Sequence, residues 1–255
     1  MSDRRWQRCG TRAVGRVLLV TGTDTGVGKT IVATWLAKAI APRERVALVK
    51  AVQTGAEPLG DGDEAQYRAL ANVEGIATST LASFAEPLAP SIAARREGRT
   101  VTPSDLVTRS HWIVAKFAVT IIEGSGGLLV PIADEYDFAD FAAALKASLV
   151  IVIRPGLGTL NHTLLTVEAA ERRSLSIEAL VCCGLDTKPR VAEIENLRYL
   201  HERFPKTPLL VLHKASPRQL ARLELRPLHL GPLPDYLRRA DVEPMDLARL
   251  LAEAT

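Results

Sequence analysis

Six short runs dense in valine, isoleucine and leucine recur between segments of helical period, and this alternation constrains the fold of the 255-residue chain more than any other feature. The runs are residues 17–21, 46–50, 119–123, 149–153, 177–182 and 208–212. They show little polar alternation, as strands covered on both faces must. Residues 29–40, 63–71, 104–116, 161–173 and 191–203 lie between them with helical periodicity. Strand then helix, repeated, predicts an α/β fold with a mostly parallel sheet, right-handed crossovers and helices on both faces. Pro42 punctuates the end of the first helix, and Ser104 with Asp105 offers N-cap and first-turn chemistry just after Pro103. Residues 81–99, with Pro87 and Pro90, read as an excursion outside the core. Beyond Pro217, prolines at 227, 232 and 234 break the pattern before a final helix at residues 245–253. With no linker, repeat or low-complexity tract, residues 17–255 read as a single domain behind a basic extension, residues 1–16.

Composition narrows the function. With 47% hydrophobic and 24% charged residues, the chain is ordinary globular material rather than disordered or fibrous. The formal +3 is also misleading. Residues 1–16 hold five arginines and one aspartate, so the remaining 27 basic and 28 acidic residues leave a body at −1. Such a body is no polycation for nucleic acid, and no nucleic-acid partner is expected. No uncharged apolar run approaches the ~20 residues of a membrane span, so no membrane partner is expected either. The arginine-rich start lacks the apolar core of a secretory signal and the serine-rich amphipathic stretch of a mitochondrial one. Cys9, Cys182 and Cys183 form no disulfide framework and no CxxC pair, which makes the reducing cytoplasm the expected compartment.

The most informative stretch is Gly22-Thr23-Asp24-Thr25-Gly26-Val27-Gly28-Lys29-Thr30. It follows a buried-type strand and opens a helix, the context that a phosphate-binding loop requires. Glycines let successive backbone N–H groups face an anion, and the helix N-terminus adds partial positive charge. Gly26, Val27, Gly28, Lys29, Thr30 and Ile31 are therefore candidate ATP contacts, with Lys29 on the outer phosphates and the Thr30 hydroxyl on Mg²⁺. The loop is a variant, because its first glycine stands at Gly22, one step earlier than usual, and Thr23 takes the customary place. The fold class is thus a P-loop NTPase-like α/β domain. Switch ATPases of the partitioning and septum-placing type carry a second lysine within this loop, and Asp24 stands there with the opposite charge.

The loop from Thr21 to Thr30 resembles the signature of the dethiobiotin synthetase family, and four further segments match it in order. They are Lys50-Ala51-Val52-Gln53-Thr54-Gly55, Phe84-Ala85-Glu86-Pro87 with Pro90, Glu123-Gly124-Ser125-Gly126-Gly127, and Gly158-Thr159-Leu160-Asn161-His162. The resemblance implies an ATP- and Mg²⁺-dependent cyclo-ligase that joins CO₂ to 7,8-diaminononanoate. One amine forms a carbamate, ATP phosphorylates it, and the second amine displaces phosphate to close the ring. It further implies a homodimer with the diamine bound across the subunit interface.

Residue by residue, the resemblance makes Lys50, Lys29 and Thr25 catalytic. Thr25, Lys50 and Thr54 bind substrate, and Thr30, Asp63 and Glu123 hold the metal as hard oxygens around a hard cation. Glu123, Gly124, Ser125 and Gly126 border ATP from the second glycine-rich turn. Several alternatives stay open. Lys50 also reads as a solvated strand-end charge, and Asp63, among Asp61 and Glu64, reads equally as a solvated loop acid. Glu123, between an apolar run and glycine, would be costly there unless paired or metal-bound. Asn161 reads as a helix cap and His162 as structural. Ser125 fails as a nucleophile elbow, since Glu123 replaces the required glycine. Ala51 replaces a common proline, and the family's adenine-binding asparagine falls at Cys183 or Gly184, which leaves base selectivity open. Beyond Leu210 the match fades. Two other readings remain: a ParA-like nucleotide switch, or another small-molecule ATP enzyme such as a cobalamin-pathway amidase, for whose glutaminase domain the chain has no room.

Overall fold

The computed structural model describes residues 15–56, 62–71, 75–223, 225, 227–233, 237, 243–246 and 249. In chain order the elements begin β1 (Arg16–Gly22), α1 (Lys29–Ile40), β2 (Val46–Thr54), α2 (Asp63–Ala71) and β3 (Ile76–Phe84). There follow α3 (Pro90–Arg96), α4 (Pro103–Val114), β4 (Val119–Gly127), β5 (Pro131–Ala133), β6 (Tyr136–Asp137) and α5 (Phe138–Leu145). The last are β7 (Ser148–Ile153), α6 (Thr159–Arg172), β8 (Ile177–Leu185), α7 (Val191–Arg203), β9 (Leu209–His213), α8 (Pro217–Arg222), β10 (Leu228–Leu230) and β11 (Glu243–Pro244).

Among these residues the main sheet runs β11-β10-β9-β8-β7-β1-β4-β2-β3. All pairings from β3 to β9 are parallel, and β10 is antiparallel to β9. The chain leaves central β1 toward β4, β2 and β3, then resumes on its other side with β7. That reversal opens a crevice at the carboxyl ends of the strands, where open α/β sheets bind ligands. Side-chain alternation divides the core into two layers. Leu18, Val20, Leu48, Ile121, Val150 and Val152 face α1, while Leu19, Val49, Ile122, Leu149 and Ile151 face α4, α5 and α7. On α1, Val32, Leu36 and Ile40 recur every four residues and are buried, each contributing roughly 1.5–3 kcal/mol, and with Ala33, Thr34, Trp35 and Ala37 also buried the helix is covered on most sides.

Several expectations change. Residues 81–84 are not an excursion but the end of β3, an edge strand paired with β2. Its Ile-Ala-Thr-Ser-Thr start is half-exposed, so it lacks the apolar run of the buried strands. Ser104 is not an N-cap. Thr102 holds that position and Pro103 opens α4, where proline's fixed φ and missing N–H suit the first turn. Asn161 does not cap its helix either, because α6 begins at Thr159 behind Gly158 in the left-handed region. His162 is exposed on the first turn of α6. α5 escaped the sequence reading although its Asp137–Asp140 capping box signals a helix start. The helix expected at residues 245–253 lies largely outside the described residues, and Met245 itself is buried beyond β11 without helical structure. Arg16, placed in the basic extension, opens β1 opposite Val119. The rest of that extension, apart from Gly15, lies outside the described residues.

Candidate active site

Three neighbouring strands deliver the site. In register, Glu123 on β4 lies opposite Val20 of β1 on one side and Lys50 of β2 on the other. This places a carboxylate and an ammonium side by side at the carboxyl edge, both almost wholly buried (Glu123 1%, Lys50 4% exposed). Lys50 Nζ bridges Glu123 Oε1 at 2.8 Å and Asp63 Oδ2 at 2.5 Å, and it also donates to the Gly124 carbonyl at 3.2 Å. The solvated reading of Lys50 is therefore wrong: it is a buried, triply engaged cation. Burial works against its charged form, but Glu123 and Asp63 override that and hold its pKa above the ordinary lysine value.

Asp63 opens α2, its own backbone N–H donating to Gln53 Oε1 at 2.9 Å. The neighbouring Asp61 lies outside the described residues. The Thr30 hydroxyl, on the first turn of α1, lies 3.0 Å from Glu123 Oε1 and 3.3 Å from Asp63 Oδ1. The structure thus brings together all three oxygen donors singled out in the sequence as metal ligands. Behind them, the Tyr67 hydroxyl donates to Glu123 Oε2 at 2.5 Å. Sequence reasoning missed Tyr67 entirely, and also Gln53 as the residue that anchors α2.

In the phosphate loop, Lys29 Nζ folds back to donate to the Asp24 carbonyl at 2.9 Å. A Cβ on Gly22 would stand 2.7 Å from Val27 Cγ2 and 2.9 Å from the Asp24 carbonyl oxygen, which explains why glycine is needed here. Asp24 accepts from the Thr25 N–H and forms an ion pair with Arg154, which follows β7. Arg154 is another participant without a sequence signal. A cavity of about 750 Å³ opens over the loop and is lined by Thr25, Gly26, Gly28, Lys29, Thr30, Ile31, Lys50, Thr54, Asp63, Glu123, Ser125 and Gly126. Pro87, Leu88, Ala89 and Pro90 also line it. Ser125 Oγ donates to the Val52 carbonyl, which leaves it no nucleophile's geometry. Val27 is buried in the α1 layer rather than lining the cavity, and Gly124 packs against Phe138. Cys183 and Gly184, at the end of β8, also lie outside this cavity, with Cys183 packed directly against Gly28.

Burial depresses the Lys29 ammonium from 10.5 to about 8, with Glu123 opposing and Lys50 reinforcing that shift. The sign follows from which form binds phosphate. An anion prefers charged Lys29, so nucleotide affinity is full below about pH 8 and falls as pH rises through it. In metal-free buffer, calorimetric ADP affinity is expected to drop about tenfold between about pH 7 and about pH 9. Lys29→Arg should flatten that profile. An equally steep profile in the arginine variant would assign the titration to another group. Stability has the complementary sign: charged Lys29 costs the folded state below its depressed pKa, and that cost fades as pH rises toward 10.5.

A phosphate loop at the sheet's switch point, with two lysines and two carboxylates about one cavity, defines a P-loop nucleotide-binding α/β protein. A family model described as an AAA domain matches residues 16–224. An ATP-dependent dethiobiotin synthetase BioD from Anaeromyxobacter sp. (strain K) is 41% identical over 229 residues, spanning 88% of this chain and 94% of that protein. The enzyme of the same name from Mycolicibacterium vanbaalenii is 45% identical over 197 residues, spanning 74% of this chain and 84% of its own. The chain belongs to the dethiobiotin synthetase family. Among solved structures, the Pyrococcus furiosus cell division ATPase MinD superposes with a TM-score of 0.52 at 17% identity, covering 94% of this chain and 96% of that one. That likeness establishes the shared P-loop fold alone.

Proposed function

We propose that this protein is an ATP-dependent ligase that converts 7,8-diaminononanoate and CO₂ to dethiobiotin, with release of ADP and phosphate. The observation that carries the reading is the convergence of Lys29, Lys50, Asp63 and Glu123 around the phosphate-loop cavity, in a chain of this family. The reaction develops negative charge on a carbamate and on a transferring phosphoryl group. Two cations held in a water-poor site stabilise such charge more strongly than water does. Lys29 rises from the phosphate loop and serves the outer phosphates. Lys50 rises from the next strand but one and faces the carbamate.

The Thr25 and Thr54 hydroxyls, both lining the cavity, hydrogen-bond the carbamate or the second amine and orient it for ring closure. ATP would lie along residues 26–31 and 123–126, its base extending out of the cavity past Gly28 toward Cys183 and Gly184. Thr30, Asp63 and Glu123 fit Mg²⁺ by donor chemistry: one hydroxyl and two carboxylates already converge within hydrogen-bonding distance. When bound, Mg²⁺ supplies charge neutralisation at the phosphate oxygens.

The proposal includes a cytoplasmic homodimer. Leu129, Leu157 and Leu165 support the dimer, being large apolar side chains at least half exposed; Leu129 and Leu165 line a second cavity beside Asp24 and Thr25. Among the described residues no helix is long and apolar enough to cross a membrane. The test is direct: protein, diaminononanoate, bicarbonate, ATP and Mg²⁺ should yield dethiobiotin by mass spectrometry. No product, together with ATP hydrolysis stimulated by DNA or lipid, would replace this reading with a nucleotide switch.

A further inference from the structure

Tyr67 follows Asp63 by four residues on α2, so the two side chains leave the same helix face one turn apart. Asp63 reaches Lys50 and Thr30, whereas the Tyr67 ring is fully buried in the apolar layer shared with α1. Its hydroxyl meets Glu123 Oε2 at 2.5 Å. The other carboxylate oxygen, Oε1, accepts from Lys50 at 2.8 Å and Thr30 at 3.0 Å. The two oxygens of one buried carboxylate are thus divided, one turned to the tyrosine and one to the phosphate-loop threonine and the lysine.

We infer that Tyr67 is a positioning residue, whose hydroxyl fixes Glu123 so that Oε1 is the oxygen presented beside Thr30 and Asp63 to a divalent cation. The terminal torsion of a glutamate is broad, so packing alone does not choose which oxygen faces the site. A donor carried on a rigid, buried ring does choose. Without it, Oε2 would be a buried charged acceptor with no partner, and the carboxylate would turn to recover one at the expense of the site. Partners of this kind behind a metal ligand typically govern affinity about 10–100-fold. The inference rests on the metal role proposed above.

Mn²⁺ serves as the probe, titrated by electron paramagnetic resonance against the full chain with ADP, alongside ADP affinity measured in EDTA. Tyr67→Phe keeps the ring and its packing. It is expected to weaken ADP-dependent Mn²⁺ binding about tenfold or more, while ADP affinity in EDTA stays within about twofold. In a Glu123→Gln background the same substitution should add nothing, because the charged ligand that the tyrosine orients is gone. Wild-type Mn²⁺ affinity in Tyr67→Phe, an equal fall in metal-free ADP binding, or an undiminished effect beside Glu123→Gln would each overturn the inference. If the wild-type protein shows no ADP-dependent Mn²⁺ binding, the metal role fails and this inference falls with it. The Phe outcome alone distinguishes failure of the tyrosine's part.

Discussion

Lys50→Ala is expected to lower dethiobiotin formation about 10²–10³-fold, the usual loss when one preorganised electrostatic donor is removed. ADP binding should persist, because the phosphate loop and Lys29 are untouched. The structure adds a consequence that the sequence did not show. Lys50 is the counter-ion of Glu123 and Asp63, and removing one partner of a buried pair destabilises by about 3–5 kcal/mol. Asp63 retains 18% side-chain exposure, so water screens part of that penalty. The alanine variant should therefore melt earlier, and activity must be read well below its Tm. Lys50→Gln keeps an amide donor toward Glu123 and separates the two effects, since it should fold better yet remain nearly inactive. Product formation by mass and ADP affinity by calorimetry check both. A folded variant that has lost ADP binding, or one that turns over within about tenfold of wild type, would falsify the assignment of Lys50 to the reacting carbamate.

The second large effect comes from a glycine. Gly28 has φ of +100°, well into the region that side chains avoid, and a Cβ there would lie 2.5 Å from Cys183 Sγ and 3.1 Å from its Cβ. Gly28→Ala must therefore absorb backbone strain of about 1–3 kcal/mol and also push β8 away from the loop. Nucleotide affinity is expected to fall about 100-fold, equivalent to about 2.7 kcal/mol. Adding Cys183→Ala removes the sulfur and should restore part of the loss, but not the part due to φ. Both variants can be compared by ADP calorimetry and thermal melts. Full restoration would mean that the backbone carries no strain, and no loss in Gly28→Ala would mean that the loop rearranges freely.

What was legible from the residues and what was not divide along physical lines. The phosphate loop was legible because its demands are local: glycine where the backbone must turn, lysine and threonine where a helix begins. The buried strands were legible because their two-sided burial writes itself as unbroken apolar runs. β3 was hidden because an edge strand is wet on one side, and its Thr78-Ser79-Thr80 stretch looks like a turn. Lys50 and Asp63 could not be told from solvated charges because their partners come from other elements through sheet register and helix docking. Tyr67 is the clearest case. A tyrosine on an amphipathic helix reads as ordinary core, and only the docking of α2 against α1, β2 and β3 brings its hydroxyl to a carboxylate on β4, 56 positions away.

The pairing of charges about the cavity also bears on how a nucleotide arrives. Lys29 and Lys50 are matched by Asp63 and Glu123, and Arg154 at the loop's mouth by Asp24. At a distance the site is nearly field-free, and its attraction for a polyanion begins only within a Debye length of about 8–10 Å. Capture then depends on diffusional collision rather than on long-range steering. Raising ionic strength from about 0.05 M to about 0.5 M should slow the ATP association rate less than about threefold, where a strongly cationic funnel would lose far more.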